Sequence, residues 1–299
     1  MPSSSNKCDY NHDTKIQQVI SFAPNQESIS IKLKQGGKVS LFKDLLTQDE
    51  MKNIQDLVQN KNLVVLRKYK VGGVPEPRLH MMFSSSATNH NNAGAGPGYQ
   101  YHGVAMRAKP LSSVPVLETI AKRLATKFGI DDWRIGVEII LYRDGKDKIG
   151  KHADDTQGES LIVSVVAQTD ISRVIKIVPK GNYHCSAAGR GQGGAHDEEQ
   201  DETITLTVNE GDGYVMDGLM QENYVHWVPE VESCTTPRIA LIFRQGEVKE
   251  VSRDNGTEEF DLNPSVSRDV YFGPPVEASG IQIGSIVEKD VLYHYNAHS

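Results

Sequence analysis

His152 and Asp154 are the residues whose types and spacing most clearly indicate a chemical role. They stand two positions apart in KIGKHADD, and in an extended chain that spacing directs both side chains to one face. We expect them at the entrance to a strand, and His226, in the later segment NYVHWV, can supply a third ligand. Two histidines and one carboxylate form a facial triad, which leaves positions open on octahedral iron(II) for a bidentate 2-oxo acid and dioxygen. Zinc would instead favour four-coordinate geometry with a bound water.

Two arginines in the last β-prone segment, PRIALIFR, favour an anionic co-substrate. Arg238 and Arg244 share one face of a strand with Ala240 and Ile242, and apolar residues occupy the other face. We expect this strand to be buried on both sides, and buried guanidinium groups need anionic partners. A dicarboxylate would satisfy them, because the planar guanidinium suits bidentate carboxylate binding. The alternative is a pair of structural bridges to Asp or Glu side chains.

The elements that must position these residues are mainly strands. Short β-prone runs follow one another with turn residues between them, a pattern typical of a sandwich, barrel or jelly roll. The runs are 137–142, 161–167, 173–178, 203–208, 213–216, 224–228 and 238–243. One amphipathic helix follows the capping box Thr47–Glu50, and a second has Pro115 in its first turn and Gly129 as its stop. We predict a mainly β fold with flanking helices.

The chain is expected to form one catalytic domain, residues 31–246, with less regular parts around it. The polar segment 1–30 has no clear period and predicts a flexible N-terminal arm. The region from Gly72 to Pro110 is rich in Gly, Pro, Ser and Asn and predicts long loops. We expect a substrate lid at about 61–110, with flexible loops as the alternative, and a mobile insertion at 180–202. Residues 247–299 form a C-terminal extension of unknown role.

Charge and cysteine usage limit the partners. Lys+Arg 32 against Asp+Glu 39 gives a net charge of −7, the wrong sign for holding nucleic acid by overall charge. A nucleic-acid contact would need a local basic patch such as 61–73, where a lysine-rich strand edge is the alternative. Cys8, Cys185 and Cys234 show no CxxC pattern, so we expect free thiols and a nuclear or cytoplasmic location. No signal peptide or membrane-spanning run is evident, and we infer no membrane contact and no obligate protein partner.

Five segments between about Pro75 and Gly246 resemble the AlkB family of nucleic-acid dealkylases, specifically its repair-type branch. In order they are EPRL (76–79), GYQYHG (98–103), LYRDGKDKIGKHADD (141–155), GDGYVMDG with NYVHWVP (211–229) and PRIALIFR (237–244). The resemblance implies a double-stranded β-helix, or jelly roll, of the 2-oxoglutarate oxygenase type. It further implies an Fe(II)- and 2-oxoglutarate-dependent dioxygenase that oxidatively demethylates N-methylated bases in DNA or RNA, releasing formaldehyde and succinate.

The resemblance also implies roles for individual residues. Arg238 would pair with the distal carboxylate of 2-oxoglutarate, while Arg244 and Tyr142 would help to seat this co-substrate. The catalytic metal ligands would be His152, Asp154 and His226.

Three more residues align with the substrate side of the family's site. Asp155 follows the metal-binding carboxylate at a position that touches the substrate base, and Tyr101 and Arg78 align with the substrate-lid region. For each of the three, an ordinary surface hydrogen bond is the alternative.

Two departures from the family pattern lie around the co-substrate and substrate pockets. Ile140 stands where the family usually has Asn, so one co-substrate hydrogen bond is missing or supplied by another residue, and Gln168 replaces a small Gly. With the acidic charge balance, these departures favour an alternative in which the same iron chemistry acts on a protein side chain or a small metabolite. A catalytically inactive binding module is disfavoured, because the triad and both arginines are present.

Overall fold

The structure is a computed structural model that describes the body of the chain. The described residues are 17–59, 66, 69–71, 74–87, 96–101, 104–133, 136–154, 160–170, 172–181, 203–246 and 249–251.

Strands dominate the described residues, and helices flank them. The helices are α1 (Gln48–Gln59), α2 (Pro115–Phe128) and α3 (Gly218–Asn223). The strands of the N-terminal half are β1 (Gln17–Ile20), β2 (Ser28–Lys32), β3 (Lys38–Phe42), β4 (Lys70–Val71), β5 (Val74–Pro75), β6 (Leu79–Ser84), β7 (Gly96–Tyr101), β8 (Val104–Arg107), β9 (Lys109–Pro110) and β10 (Gly136–Tyr142). The later strands are β11 (Ile149–His152), β12 (Leu161–Gln168), β13 (Ile175–Pro179), β14 (Thr203–Leu206), β15 (Gly213–Asp217), β16 (Tyr224–Val228), β17 (Arg238–Arg244) and β18 (Lys249–Val251).

Two sheets build the body of the molecule. The larger has eight strands in the order β2-β3-β15-β12-β17-β10-β6-β9, and the smaller has five in the order β1-β14-β13-β16-β11. The chain crosses repeatedly between them, since β11 and β16 belong to the smaller sheet whereas β12, β15 and β17 belong to the larger. Two facing sheets with flanking helices confirm the predicted jelly roll, or double-stranded β-helix.

Strand β17 shows how the sequence pattern and the packing agree. Ala240 and Ile242 lie in a cluster between the two sheets. Ile239, Leu241 and Phe243 face the other way and lie in a second cluster, to which α1 and α2 contribute their apolar faces. The strand is therefore buried on both sides, as predicted, and it carries its two terminal arginines into the interior.

The two predicted helices begin and end where their sequence signals place them. At the start of α1, the Glu50 amide donates to Thr47 Oγ1 at 3.2 Å and the Thr47 amide donates to the Glu50 carboxylate at 2.9 Å. The same carboxylate accepts from Arg123 of α2 at 2.7 Å and so joins the two helices. Helix α2 starts with Pro115 and ends at Gly129, whose φ of 67° lies in the left-handed region that favours glycine.

The prediction of a flexible N-terminal arm is wrong for its second half. Strand β1 pairs in parallel with β14, and β2 pairs with β3 at the edge of the larger sheet. Strand β2 alternates exposed and half-buried residues, so it carries little of the apolar signal that identifies a core strand. Residues 1–16 lie outside the described part of the chain.

The predicted lid segment, about 61–110, contains a core strand, so the expectation of long loops is wrong for residues 79–84. Strand β6 is buried at every position and pairs with β10 in the larger sheet. Its apolar run is short and lies among Gly, Pro, Ser and Asn residues that dominate the local composition. A short run of this kind gives too few repeats for its periodicity to be recognised.

A small third sheet, in the order β18-β7-β8, is built from the lid segment and the C-terminal extension. Strand β18 pairs with the first half of β7. Most of the basic stretch 61–73, residues 182–202 of the predicted insertion and residues 252–299 lie outside the described residues. Within the described ranges, the helices are too short or too polar to cross a membrane.

Candidate metal centre

His152 and His226 face each other across two neighbouring strands. The antiparallel register of β11 and β16 pairs them directly, and their ring centroids are 4.3 Å apart. Asp154 follows two residues after the end of β11. The sequence predicted this pair at the entrance to a strand, whereas His152 ends a strand and Asp154 lies in the irregular segment directly after it.

The three side chains form a compact set of possible ligands. The ligand atoms of His152, Asp154 and His226 all lie within 4.8 Å of one another, and His226 Nε2 is 3.5 Å from Asp154 Oδ2. His152 Nδ1 is 2.9 Å from the Gly150 carbonyl oxygen, to which it can donate, and this leaves Nε2 for a metal. Ligand atoms about 2.0–2.2 Å from a shared metal lie roughly 3 Å apart, so a small adjustment would close the set around an ion.

Asp154 is held from three sides. Arg244 Nε donates to Oδ1 at 3.0 Å and the Tyr99 hydroxyl donates to the same oxygen at 3.2 Å. The backbone amide of Asp154 donates to the side-chain oxygen of Gln221, in α3, at 2.9 Å. These contacts occupy Oδ1 and leave Oδ2 facing His226. Burial opposes ionisation, but the adjacent Arg244 charge outweighs it and holds the pKa of Asp154 far below its usual range.

Burial lowers the pKa of both histidines. For His226, burial and the neighbouring His152 lower the pKa to about 3. For His152, burial outweighs the attraction of Asp154, and its pKa also falls. Both rings are therefore neutral at pH 7, which is the state that binds a metal.

A buried ionic chain extends from Asp154 away from the metal ligands. Arg244 Nη1 donates to Glu138 at 2.6 Å, Glu138 lies 2.7 Å from His80 Nδ1, and His80 Nε2 lies 2.8 Å from Glu76. Arg78 closes the chain with a 2.9 Å contact to Glu76. All five of these side chains are less than 10% exposed. We call this set, together with Asp154, the buried ionic chain.

The charges along the buried ionic chain alternate in sign. Burial works against ionisation of Glu138, but Arg244 and His80 lower its pKa to about 2. Burial also works against a charged His80, yet its two carboxylate partners raise its pKa. With His80 protonated, three cations and three anions alternate from Arg78 to Asp154, and the net charge of the chain is zero.

The two arginines of β17 have different surroundings. Arg244 is compensated by Glu138 and Asp154, which is the structural bridging that the sequence left open as the alternative. Arg238 is 2% exposed, and its Nε and Nη2 have no hydrogen-bond partner among the described residues. Its guanidinium lies over the Tyr142 ring, 5.4 Å from the centroid. Two buried donors without an acceptor fit an absent carboxylate ligand.

The residues predicted to contact the substrate are only partly described. Arg78 is buried and paired with Glu76, so a surface hydrogen bond, the alternative for this residue, does not apply to it. The backbone of Tyr101 lies in β7, but its side chain, like the whole of Asp155, lies outside the described residues. Their contacts with a substrate stay predictions.

Sequence reasoning missed several residues that support the site. Tyr99 shares the GYQYHG segment with Tyr101 and stands on the same strand face by alternation. Glu138 was detectable as a carboxylate within the apolar run VEIILY, because a charge in a core strand needs a buried partner. No local sequence pattern identifies His80 and Glu76 as members of the buried ionic chain.

A family model described as the 2OG-Fe(II) oxygenase superfamily matches residues 38–244, which is more than half of the chain. The chain belongs to this superfamily. The cofactors of this oxygenase are therefore Fe(II), 2-oxoglutarate and dioxygen, as predicted, and the nitrogen and oxygen donors of the triad fit iron(II).

The oxygenase is similar to a curated protein of Bos taurus named DNA oxidative demethylase ALKBH2. The two are 27% identical over 150 residues, which cover 50% of this chain and 49% of the relative. The chain thus spans about half the length of this relative.

Two solved structures are similar to it. One is a prolyl hydroxylase in complex with a peptide fragment of the hypoxia inducible factor oxygen degradation domain, from Trichoplax adhaerens, with 8% identity, a TM-score of 0.42, and coverage of 69% of this chain and 82% of that one. The other is an oxidoreductase of the 2OG-Fe(II) oxygenase family from Burkholderia pseudomallei, with 11% identity, a TM-score of 0.44, and coverage of 80% and 99%.

Proposed function

We propose that this oxygenase oxidatively demethylates N-methylated bases in DNA or RNA, releasing formaldehyde and succinate. The observation that carries the proposal is the likeness to a relative named as a DNA oxidative demethylase. The structure of the predicted lid supports it, because strand β7 brings Tyr99 to the metal ligand Asp154 at 3.2 Å. The lid segment therefore reaches the place where a substrate must react.

The chain's own residues would divide the work as follows. His152, Asp154 and His226 hold iron, which together with 2-oxoglutarate supplies the oxidising power for inserting oxygen into a C–H bond. Arg238 binds the distal carboxylate of the co-substrate through its two unpartnered donors. Arg244 fixes the orientation of Asp154. The buried ionic chain keeps these charges compensated away from water.

The substrate imposes two further requirements. Hydroxylation of an N-methyl carbon gives a hemiaminal, which breaks down to formaldehyde and the unmethylated base without another catalyst. A base within a duplex must first leave the stack, at an expense of a few kcal/mol that is smallest for a damaged or single-stranded base. We therefore expect single-stranded substrates to react faster than duplexes.

A second candidate keeps the iron chemistry but uses a protein side chain or a small metabolite as substrate. The observation that favours it is the net charge of −7, which opposes approach to a polyanion. A nucleic-acid substrate would then depend on local positive charge, for which the stretch 61–73 is the candidate.

The test is incubation of the protein, Fe(II), ascorbate and 2-oxoglutarate with oligonucleotides that carry 1-methyladenine or 3-methylcytosine. Single- and double-stranded DNA and RNA are compared, and mass spectrometry follows loss of the methyl group. The matched control is the Asp154→Ala variant, which we expect to leave every oligonucleotide unchanged. If the wild-type protein consumes 2-oxoglutarate with peptides or metabolites but leaves all methylated bases intact, the second candidate replaces the first.

A further inference from the structure

Two buried arginines lie near the ring of Tyr142. The guanidinium carbon of Arg238 lies 5.4 Å from the centroid of the Tyr142 ring, and that of Arg173 lies 5.3 Å from it. Arg238 is 2% exposed and Arg173 is 1% exposed. Arg173 belongs to none of the motifs that the sequence suggested. It lies two residues before β13, a strand of the smaller sheet, whereas Tyr142 and Arg238 are in strands of the larger sheet.

Among the described residues, the Arg173 guanidinium is hydrogen-bonded to a backbone oxygen and not to a carboxylate. Its Nη2 donates to the backbone oxygen of Asp147 at 2.6 Å, whereas its Nε and Nη1 have no hydrogen-bond partner in the described part of the chain. The Asp147 carboxylate is itself taken by Arg143, which donates to both of its oxygens at 2.9 and 2.8 Å. Burial and the neighbouring charge of Arg238 lower the pKa of Arg173, as expected where two cations share one interior space.

The backbone around Arg173 is a fixed turn. The Arg173 amide donates to the Asp170 carbonyl at 3.0 Å, and the Ser172 amide donates to the Asp170 carboxylate at 2.9 Å. The other oxygen of that carboxylate accepts from the Thr236 hydroxyl at 3.4 Å, two residues before Arg238. The segments that carry the two arginines are thus joined through Asp170.

Within the part of the chain that the structure describes, four buried guanidinium nitrogens near Tyr142, two from each arginine, therefore have no hydrogen-bond acceptor. A buried cation without a compensating anion is unfavourable, and an interior site with two of them is built for an anion. Ile140, which replaces the family's usual Asn, lies in the same apolar cluster as Tyr142 and offers no hydrogen bond. A ligand carboxylate at this place needs donors from another residue.

We propose that Arg173 joins Arg238 in binding the distal carboxylate of 2-oxoglutarate, so that two arginines hold one end of the co-substrate. This inference rests on the part of the proposed function that assigns Arg238 to the co-substrate, and it does not depend on which substrate is demethylated. Tyr142, whose pKa is raised by burial, stays neutral beside the two guanidinium groups. The site then selects 2-oxo acids by the charge at their far end.

The test compares two 2-oxo acids of equal chain length, of which 2-oxoglutarate ends in a carboxylate and 2-oxopentanoate in an uncharged methyl group. 2-Oxoglutarate and 2-oxopentanoate are titrated by calorimetry into the Fe(II)-loaded protein without oxygen, so that binding is measured apart from turnover. We expect Arg173→Met to weaken 2-oxoglutarate by about ten- to hundredfold, the range for lost hydrogen bonds to a charged group, and to leave 2-oxopentanoate unchanged. Arg173→Lys keeps the charge but not the planar fork and should lie between wild type and Arg173→Met.

The control variant is Arg123→Met, which removes an arginine that pairs with Glu50 between α1 and α2 and should change neither affinity. Thermal unfolding checks that each variant is folded, and Arg173→Lys carries the comparison if Arg173→Met does not fold. Equal weakening of both ligands would assign Arg173 a structural role only and overturn the inference, as would unchanged 2-oxoglutarate binding. A wild-type protein that does not bind 2-oxoglutarate would overturn this inference and the proposed function together. Binding that depends on Arg173 without demethylation of any base would overturn the proposed function alone.

Discussion

Arg244 donates from Nε to Oδ1 of Asp154 at 3.0 Å, so a buried cation directly supports the carboxylate of the candidate metal centre. The contact orients Asp154 and favours its ionised form. It also links the metal centre to Glu138, which accepts from the other end of the same guanidinium at 2.6 Å. A carboxylate ligand in this oxygenase is thus positioned by a residue from the central strand of the larger sheet.

The first prediction concerns the metal ligands. His152→Ala or Asp154→Ala should abolish Fe(II) binding and succinate formation, because two remaining ligands do not hold the ion in the site. Calorimetry measures the Fe(II) affinity, and chromatography measures succinate. Asp56→Ala, on the exposed face of α1, is the matched control and should behave as wild type. Full turnover in either ligand variant would show that the metal assignment is wrong.

The second prediction concerns the hydroxyl that reaches Asp154. Tyr99→Phe removes the 3.2 Å hydrogen bond to Oδ1 and should lower the Fe(II) affinity or the turnover by about 10- to 100-fold, the usual effect of losing a hydrogen bond to a ligand. The control is Tyr224→Phe, whose hydroxyl accepts from the Gln35 amide away from the metal ligands. If both variants have the same effect, Tyr99 has no particular role at the metal centre.

The third prediction concerns the stability of the buried ionic chain. Glu138→Ala leaves Arg244 and His80 without a shared partner and should lower the free energy of unfolding by about 3–5 kcal/mol. Urea denaturation measures the change. Glu118→Ala removes a pair on the surface of α2, where the side chains of Glu118 and Lys122 are 34% and 75% exposed, and should change stability by no more than about 0.5 kcal/mol. A small effect at Glu138 would mean that water compensates the remaining charges.

The fourth prediction is a pH dependence of the apoprotein. The pKa of His226 falls from 6.5 to about 3 on folding because of burial and the neighbouring His152. His226 is protonated at a higher pH in the unfolded chain than in the folded protein. The free energy of unfolding therefore falls as the pH is lowered from 6.5 toward 3. The lowered pKa of His152 acts in the same direction. The raised pKa of His80 stabilises the fold below pH 6.5 and loses this effect as the pH rises, so it does not contribute to the slope in this window.

Replacing His226 by Gln isolates the contribution of this residue. The slope of unfolding free energy between pH 6.5 and pH 4.5, where Glu138 begins to titrate in the unfolded chain, should decrease by up to about 1.4 kcal/mol per pH unit. Urea denaturation at several pH values, with a chelator to keep the protein free of metal, gives both slopes. Parallel slopes for the two proteins would show that His226 is protonated in the fold.

His152, Asp154 and the central strands could be predicted because the sequence patterns that indicate them are local. The runs that became β10, β12 and β15 to β17 are apolar, β-branched and bounded by turn residues, and the alternation along β17 showed which face holds Arg238 and Arg244. The sequence placed His226 in a later strand of the same predicted set, and the family resemblance implied that it is a ligand. Its register opposite His152 is seen only in the assembled sheet.

The supporting residues could not be predicted because their partners are distant in the chain. Glu138 and His80 are 58 positions apart, and Arg244 lies 106 positions from Glu138. A charge within a core strand signals that Glu138 or Arg244 needs a partner, but no local pattern identifies which residue that partner is. Arg173 illustrates the same limit, since it precedes its strand and meets Tyr142 only when the two sheets face each other. Pairing between sheets is a property of the assembled fold.

Strand β18 lies outside the segment that the family model matches, yet it contributes to the sheet that contains Tyr99. Residues 249–251 lie beyond the matched range 38–244, yet they form the third strand beside β7, which carries Tyr99. Without them β7 and β8 would pair only with each other and would depend on their packing against Met82 of β6, since a two-stranded ribbon alone is marginally stable in water. Strand β18 therefore supports the pair of strands that carries Tyr99 to Asp154, and we expect substitutions in residues 249–251 to alter iron binding although they lie outside the triad.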